Sequence, residues 1–589
     1  MQRQPPMNDE TIQEEYRMSI PRSEYPRPQF ERDAYMNLNG VWQFEIDHGA
    51  SGRKRGMVNK ETLDGTITVP FCPESRLSGV AYTDFMAAVW YRRAFTLPQQ
   101  AAGKRVILHF GGADYRTEVW VNGASAGVHE GGFASFSFDV TELLAEGENA
   151  LVVCCEDDTR GGRQPLGKQS VRYESSGCRY TRTTGIWQTV WLEWVEETYI
   201  RSVKMIPDAA NGKLYLDAQI EGDASGAALY ADAFFAGGAQ GSAFAIADGA
   251  HCRMTLSVKE KYLWNAGEPN LYDLTLTLRK RGQAVDTVRS YFALRTISFD
   301  GKKCLINGKP VFQRLILDQG FYPDGIWTAP SDAELKADIE RSMAMGFNGA
   351  RLHQKVFEQR FLYWADKLGY LCWGEMGNWG ADPAMPHTMN IFLREWLEVV
   401  NRDFNSPCIV GWCPYNEVWG ESNEGLREMT LAMTYRVTKA MDPTRPVIDV
   451  SGGYHVETDI YDTHDYEQDG EIYAARYAPG QSLYDQFAGK QHYDGVKPMF
   501  VSEYGGIRWT QDASGWGYGV GPKTAEEFIA RYRALTTALM QNPEHMGFCY
   551  TQLTDVEQEQ NGLYTYDRKP KFDPAVIHAI NARKAACEE

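Results

Sequence analysis

The sequence predicts a multidomain protein of β and α/β class: an N-terminal jelly-roll-like β-sandwich, an immunoglobulin-like β-sandwich and a C-terminal (β/α)8 barrel. Three observations lead there. The chain of 589 residues is too long for one hydrophobic core, and at about 100–200 residues per domain it divides into about three. Up to about residue 300 the apolar residues follow the period of strands. Beyond that point helical and strand patterns alternate, which implies a parallel sheet.

Residues 1–200 read as the first sandwich. Val106–Phe110, Thr117–Val121 and Ala150–Cys154 are short β-branched or aromatic runs, separated by turn signals such as Asn122-Gly123 and Gly131-Gly132. Residues 201–300 continue in the same manner. Lys213–Ile220 and Leu271–Leu278 alternate apolar and polar residues, and about 100 residues of such strands suit a small immunoglobulin-like sandwich. Residues 301–589 change pattern. Ser331 caps a helix that runs to about Gly346, with Glu334 in the capping-box position. Strand Phe347–Leu352, helix Glu358–Leu368, strand Tyr370–Trp373, helix Thr388–Asn401 and strand Cys408–Trp412 follow, a spacing that predicts a (β/α)8 barrel.

Composition narrows the function. A net charge of −18 offers no basic footprint for nucleic acid. No apolar run approaches the roughly 20 residues of a membrane span. Aromatic residues make up 13%, with 16 Trp and 32 Tyr, which suits a sugar-binding cleft, although β-sandwich cores also consume aromatics. The 11 cysteines include no CxxC pair, and the first residues lack an apolar leader core, so reduced thiols in a cytoplasmic protein are expected. The histidines show no HExxH, so neither a metal nor another cofactor is expected.

A barrel carries its chemistry at the C-terminal ends of its strands, and two carboxylates fall there. Glu417 follows the strand ending at Trp412. Glu503 follows Pro498–Ser502 and precedes Tyr504-Gly505-Gly506, glycines that permit close approach of a ligand.

Asn416-Glu417 and Ser502–Gly506 resemble the acid/base and nucleophile motifs of glycoside hydrolase family 2, which includes β-galactosidases, β-glucuronidases and β-mannosidases. The resemblance spans nearly the whole chain. Leu38–Phe44, Val69–Ser75, Trp90–Arg93, Val119–Gly123, Gly131–Phe133 and Thr184–Gln188 are similar to the family's first domain. Leu263-Trp264, Glu268–Tyr272 and Leu294–Ile297 are similar to the end of its middle domain, and Asn307–Pro310 to its barrel entry. The resemblance implies a retaining exo-β-glycosidase with Glu417 as acid/base and Glu503 as nucleophile. It also implies Arg351 and His353 in the site, separated here by one residue where the family usually has two. Tyr466 aligns with a donor to the nucleophile, and Asn416 is expected to bond the sugar 2-hydroxyl. Asp318, Trp379, His464, Gln552, Asp555 and Glu557 are expected to line the pocket. A retaining pair stands about 5–5.5 Å apart and disfavours joint ionisation, so Glu417 should hold a proton while Tyr466 and Arg351 keep Glu503 ionised.

The family's β-glucuronidases carry Asn-x-Lys near the last barrel strand. This chain has Gln560–Tyr564 there, with a hydrophobic residue at the Lys position, and it stops after the barrel. A terminal β-D-galactoside is therefore the expected substrate, followed by a β-hexuronide (glucuronide or galacturonide) whose carboxylate Arg508, Lys355 or Lys569 would meet. A carbohydrate-binding protein with an inactive barrel is the reading from another class, and the presence of both glutamates argues against it. The expected partner is a carbohydrate or glycoside substrate, without nucleic acid or membrane; homo-oligomerisation is left open.

Overall fold

The structure is a computed structural model and describes residues 20–418, 423–487, 489–491, 493–510, 512 and 514–589. The opening residues that bear on a leader lie outside them. No helix among the described residues is long and apolar enough to cross a membrane.

The first unit is a sandwich of two antiparallel sheets. One runs in the order Tyr35–Asn37, Val190–Val195, Arg105–Phe110, Phe136–Asp139; the other in the order Gly65–Val69, Gly40–Ile46, Ala88–Thr96, Glu148–Glu156, Arg116–Val121, Ala124–Glu130. Alternation along these strands sends Tyr91, Val119, Val153 and Cys155 into the core between the sheets. Trp90, Trp120, Val152 and Cys154 face the other way and pack on Met57. Neighbouring Cys154 and Cys155 thus point to opposite faces, a geometry that no disulfide spans.

The second unit pairs a three-stranded sheet (Tyr199–Asp208, Lys213–Glu221, His251–Ser257) with a four-stranded one (Gly238–Ile246, Ala227–Phe235, Tyr272–Lys280, Gln283–Phe292). Leu214, Leu216, Leu229, Leu274 and Leu276 fill the space between them.

The barrel wall consists of β1 (Gln313–Asp318), β2 (Gly349–Leu352), β3 (Leu371–Glu375), β4 (Ile409–Cys413), β5 (Val450–Ser451), β6 (Tyr461–Asp465), β7 (Met499–Gly505) and β8 (His545–Thr551). Seven of these form one parallel sheet in the order β4-β3-β2-β1-β8-β7-β6. The short β5 occupies the place between its two ends. It pairs in parallel with Tyr415–Asn416 just past β4, and the Ser451 hydroxyl donates to Asp462 of β6 at 2.7 Å. Two details differ from expectation. Ser331 caps the helix Asp332–Ala344 through Glu334 N, but the Glu334 side chain turns to Arg341 at 2.5 Å, so only half of a capping box forms. Strand β7 continues past Ser502 because Glu503 and Tyr504 still pair with β6, so Glu503 lies within the strand and not after it.

One hydrophobic cluster runs through all three units. Phe133, Tyr180 and Trp187 from the first sandwich pack with Phe321 and Trp327 of the barrel, and Trp264 from the second unit belongs to the same cluster. Beside it, Glu395 on the barrel helix Thr388–Asp403 accepts a hydrogen bond from Phe133 N at 2.7 Å, while its other oxygen is buried without a partner among the described residues. Burial pushes this carboxyl up to about 7. The folded state therefore holds a proton that the unfolded chain releases near pH 4.5, so this contribution to stability is present at low pH and is lost as pH rises through about 7. Glu395→Gln keeps the accepting oxygen and removes the titration. Its thermal midpoint is expected to fall less than that of the parent between pH 5 and pH 8.5; equal falls would show that this carboxyl does not govern the interface.

Candidate active site

At the C-terminal mouth of the barrel two glutamates share one histidine. Glu503 of β7 is buried. Glu417 follows Tyr415–Asn416 with φ +50°, in the left-handed region that costs a non-glycine residue strain, and its amide is tied to Ser451 O at 2.8 Å. His464 Nδ1 of β6 lies 2.8 Å from Glu417 Oε1 and 3.5 Å from Glu503 Oε2. A carboxylate oxygen of Glu417 is within 4.8 Å of one of Glu503, close to the about 5–5.5 Å at which one carboxylate of a pair can act as nucleophile. The imidazole needs Gly452 beside it: a Cβ there would meet the ring at 2.3 Å.

Arg351, at the end of β2, organises the other side. Its Nη1 donates to Ser502 O (2.8 Å) and Glu503 Oε1 (3.2 Å), and its Nη2 to Glu375 Oε2 (2.7 Å) and Asn416 Oδ1 (2.9 Å). Glu375, the last residue of β3, also accepts from Gln354 N at 3.0 Å and lies 2.9 Å from His353 Nδ1. The one-residue spacing of Arg351 and His353 works because alternate residues of an extended segment share a face. Tyr466 donates its hydroxyl to Glu503 Oε2 and stacks on Tyr518. Asn378 clamps the backbone of Asn416 through both its amide and its carbonyl. The Asn416 Nδ2 is buried with no partner among the described residues, which leaves a donor for a ligand hydroxyl.

Electrostatics separate the groups. Burial alone would raise Glu503, but the charges of His464, His353, Arg351 and Lys168 outweigh it and hold the carboxyl down at about 2. Burial likewise works against Glu375, and Arg351 and His353 hold it down at about 2. His464 is held above the ordinary histidine value: burial opposes its charge, but Glu503 and Glu417 favour it. Burial and the adjacent Glu503 keep Tyr466 protonated far into the alkaline range, so it remains a donor.

The remaining residues expected from the sequence divide into two groups. Trp379 belongs to the site. Its Nε1 donates to Asn416 O at 3.2 Å, and it lines a cleft of about 530 Å³ with Glu417, Arg179 and Cys178. Asp318, Gln552, Asp555 and Glu557 hold hydrogen bonds within and between the loops around it. Asp318 accepts from Gly320 N (2.9 Å), and Gln552 bonds Gln319 and Asn561 (both 2.8 Å). Asp555 pairs with Lys571 at 2.6 Å, and Glu557 accepts from Thr181 N of the first sandwich at 3.1 Å. Lys355 is spent on the carbonyls of Gly320 and Trp327, and Lys569 is exposed beside Asp567. Sequence reasoning did not single out Glu375, Asn378, Lys168 or Glu559. Glu375 had a usable signal, since it stands at a strand end like the two catalytic candidates. Lys168 and Glu559 had none, because their placement depends on the docking of two domains.

Residues 51–196 match the glycosyl hydrolase 2 galactose-binding domain-like family, residues 198–295 glycosyl hydrolases family 2, and residues 333–516 the TIM barrel domain of that same family. A β-galactosidase of Thermoanaerobacter pseudethanolicus is 25% identical over 338 residues, covering 56% of this chain and 44% of the relative. A β-glucuronidase of Felis catus is 26% identical over 489 residues, 74% of this chain and 71% of the relative. The chain spans about half the length of the first curated relatives it matches. Among solved structures, a Bifidobacterium dentium β-glucuronidase complexed with coumarin-3-O-glucuronide superposes with a TM-score of 0.78 at 20% identity, covering 94% of this chain and 98% of that one.

The Arg351 network generates a test that does not depend on the ligand. Arg351→Met strands two buried carboxylates and is expected to destabilise the protein by about 3–5 kcal/mol in denaturant titration. Adding Glu375→Gln should recover part of that loss. A single variant as stable as the parent would show that the network carries no such charge balance.

Proposed function

The chain belongs to glycosyl hydrolases family 2, and on that footing we propose that it is a retaining exo-β-glycosidase acting on a terminal β-linked sugar. The observation that carries this reading is the glutamate pair, with one carboxylate held ionised and the other joined to a histidine that can hold a proton. Glu503 attacks the anomeric carbon while Glu417, with the proton it shares with His464, protonates the leaving oxygen. Once Glu503 is an uncharged ester, Glu417 accepts a proton from water, which attacks the same carbon and frees the sugar with its configuration retained. Asn416 Nδ2 is the donor to the 2-hydroxyl. Exo action is supported by the way the first sandwich meets the barrel loops: Leu166 N bonds Trp379 O, Thr181 N bonds Glu557 and Tyr180 bonds Glu559, which walls off one side of the pocket. The cleft beside Glu417 and Trp379 is then the place for the aglycone.

For the sugar itself, a neutral β-hexoside of the galactoside type is the leading reading. Of Arg508, Lys355 and Lys569, the cations expected to meet a carboxylate, Lys355 is engaged elsewhere and Lys569 is exposed, and the acidic Glu559 is buried within electrostatic reach of Glu503. A β-hexuronide is the second reading, favoured by the number of relatives and structural neighbours named β-glucuronidase. A panel of nitrophenyl β- and α-glycosides decides between them, and silence across the panel would return the chain to a carbohydrate-binding role. A tenfold advantage of hexuronides over galactoside in kcat/KM, about 1.4 kcal/mol of transition-state binding, would reverse the order.

The roles of the glutamates predict opposite rescues. Glu417→Ala keeps the nucleophile, so a dinitrophenyl glycoside should still form the glycosyl-enzyme, and azide should restore turnover as the β-glycosyl azide. Glu503→Gly should lose several orders of magnitude with every leaving group, and azide in the vacated space should give the α-glycosyl azide. The reverse pattern of anomers by proton NMR would exchange the two assignments.

A further inference from the structure

The cleft beside Glu417 takes its two walls from two domains. Residues 378–383, Glu417 and Val418 of the barrel form one side, and Gly162, Cys178 and Arg179 of the first sandwich form the other, around about 530 Å³. The sandwich loop is docked on the barrel at two places. Leu166 N bonds Trp379 O at 2.6 Å and Gly167 N bonds Gly377 O at 3.0 Å. Gly167 has φ +59°, and a Cβ there would strike Gln354 O at 2.1 Å, so only glycine lets the loop seat this deeply. Further along, Gly177 O accepts from Trp516 Nε1 (2.6 Å) and Gln558 Nε2 (2.7 Å), and Arg179 O accepts from the same Gln558 amide (2.9 Å).

This loop is basic in an acidic chain. Against a net charge of −18, residues 160–182 hold six cations (Arg160, Arg163, Lys168, Arg172, Arg179 and Arg182) and one carboxylate, Glu174. Arg182 is spent on the carbonyls of Ser170, Thr83 and Tyr173. Lys168 and Arg160 lie on the rings of Trp379 and Phe85, at 4.1 and 4.2 Å. Arg160 and Arg163 open onto a second hollow, whose walls also carry Glu130, Glu156 and Asp157. Arg179 differs from all of these, because it lines the cleft that reaches Glu417. Its guanidinium is held by the Trp379 ring at 4.9 Å and by one hydrogen bond, from Nη1 to Gln169 O at 3.1 Å. Among the described residues it makes no ion pair, and its Nε and Nη2 make no hydrogen bond and are not enclosed by protein. The carboxylates that share the cleft are turned elsewhere: Asp382 accepts from Ala384 N at 2.8 Å, and Glu417 meets His464.

The cleft thus offers a half-buried, oriented fork of N–H donors on the leaving-group side of Glu417. A planar fork matches the paired oxygens of a carboxylate or sulfate, and its order is in place before a ligand arrives. A neutral aglycone would displace water from this cation and return no charge.

We propose that Arg179 selects the leaving group, and that the cleft takes an aglycone bearing an anion, a carboxylate or a sulfate, such as a following acidic sugar residue. The proposal rests on the exo-glycosidase reading and adds to it the chemistry on the other side of the scissile bond.

The test uses phenyl glycosides of whichever sugar the nitrophenyl panel ranks first. Their rings carry a meta-carboxymethyl, a meta-sulfomethyl or a neutral meta-carbamoylmethyl group, each insulated by a methylene so that leaving ability is nearly matched. Values of kcat/KM are compared for the parent, Arg179→Met and Arg179→Lys. All substrates are read on one preparation, so their ratio does not depend on how much of a variant is folded. The parent is expected to favour an anionic aglycone over the neutral one by roughly tenfold, the lower end for a hydrogen bond to a charged group, and added salt should shrink that advantage. Arg179→Met should abolish it and Arg179→Lys should keep part of it. An advantage for either anion supports the proposal, and the larger one names the group. A parent that treats the three alike, or prefers the carbamoylmethyl substrate, overturns it. So does an advantage that survives in Arg179→Met, since another cation then holds the anion. Silence of the parent toward every glycoside is a different failure: it removes the glycosidase reading itself, and this inference with it.

Discussion

The site depends on a guanidinium that water does not reach. Arg351 is 1% exposed and divides its donors between the Glu375 and Glu503 carboxylates, a Ser502 carbonyl and the Asn416 amide oxygen. Burying one cation between two anions is acceptable only when the attraction offsets the desolvation of each ion; both Nη atoms are bonded, while Nε is buried without a partner among the described residues. That requirement fixes geometry. Glu375 must stand at the end of β3, Gln354 must offer its amide, and Asn416 must turn its oxygen inward, which leaves its nitrogen buried without a partner among the described residues. The φ of +52° at Gln354 and of +50° at Glu417 are local strains that this arrangement sustains on either side of it.

Much of this was legible in the sequence, and the reason is periodicity. Alternating strands and helices announced the barrel, and both glutamates were expected just past strands, whereas Glu503 lies inside β7 because it still pairs with β6. The spacing of Arg351 and His353 looked irregular beside the family pattern. It is sound physically, because residues two apart along an extended segment point the same way, and Glu375 binds both. Asp318, Gln552, Asp555 and Glu557 were harder. A polar side chain in a loop can turn toward a ligand or toward its own loop, and only the folded chain decides. Asp555 met Lys571 sixteen positions later, and Glu557 met an amide of another domain.

Aromatic content proved a weak guide for a related reason. Trp42, Trp90, Trp187, Trp264, Trp327, Trp373, Trp396 and Trp412 are all under 2% exposed, so half of the 16 tryptophans are structural. Several of them join the domains, as Trp187 does where it meets Trp327 edge-on at 5.1 Å. Composition counted these with Trp379, whose ring is met by the Lys168 and Arg179 cations at 4.1 and 4.9 Å. What distinguishes the cleft tryptophan is its neighbours, and those come from two domains.

That division has a consequence for how the site works. Arg351, Glu375 and Glu503 are all borne by barrel strands, so the geometry of the charged pair is set by the sheet register. Lys168 is borne by a loop whose fixed points are the Leu166 and Gly167 amides on the carbonyls of Trp379 and Gly377. It shares no hydrogen bond with the Arg351 network and acts on Glu503 only through space. A substitution at Lys168 therefore removes a charge that acts on Glu503 while every hydrogen bond around the glutamates remains in place. A substitution at Arg351 removes the cation between Glu375 and Glu503, two buried anions that His353 and His464 are then left to balance. The sandwich domain thus contributes to the field at Glu503 without entering its hydrogen-bond network, whereas the barrel strands supply both.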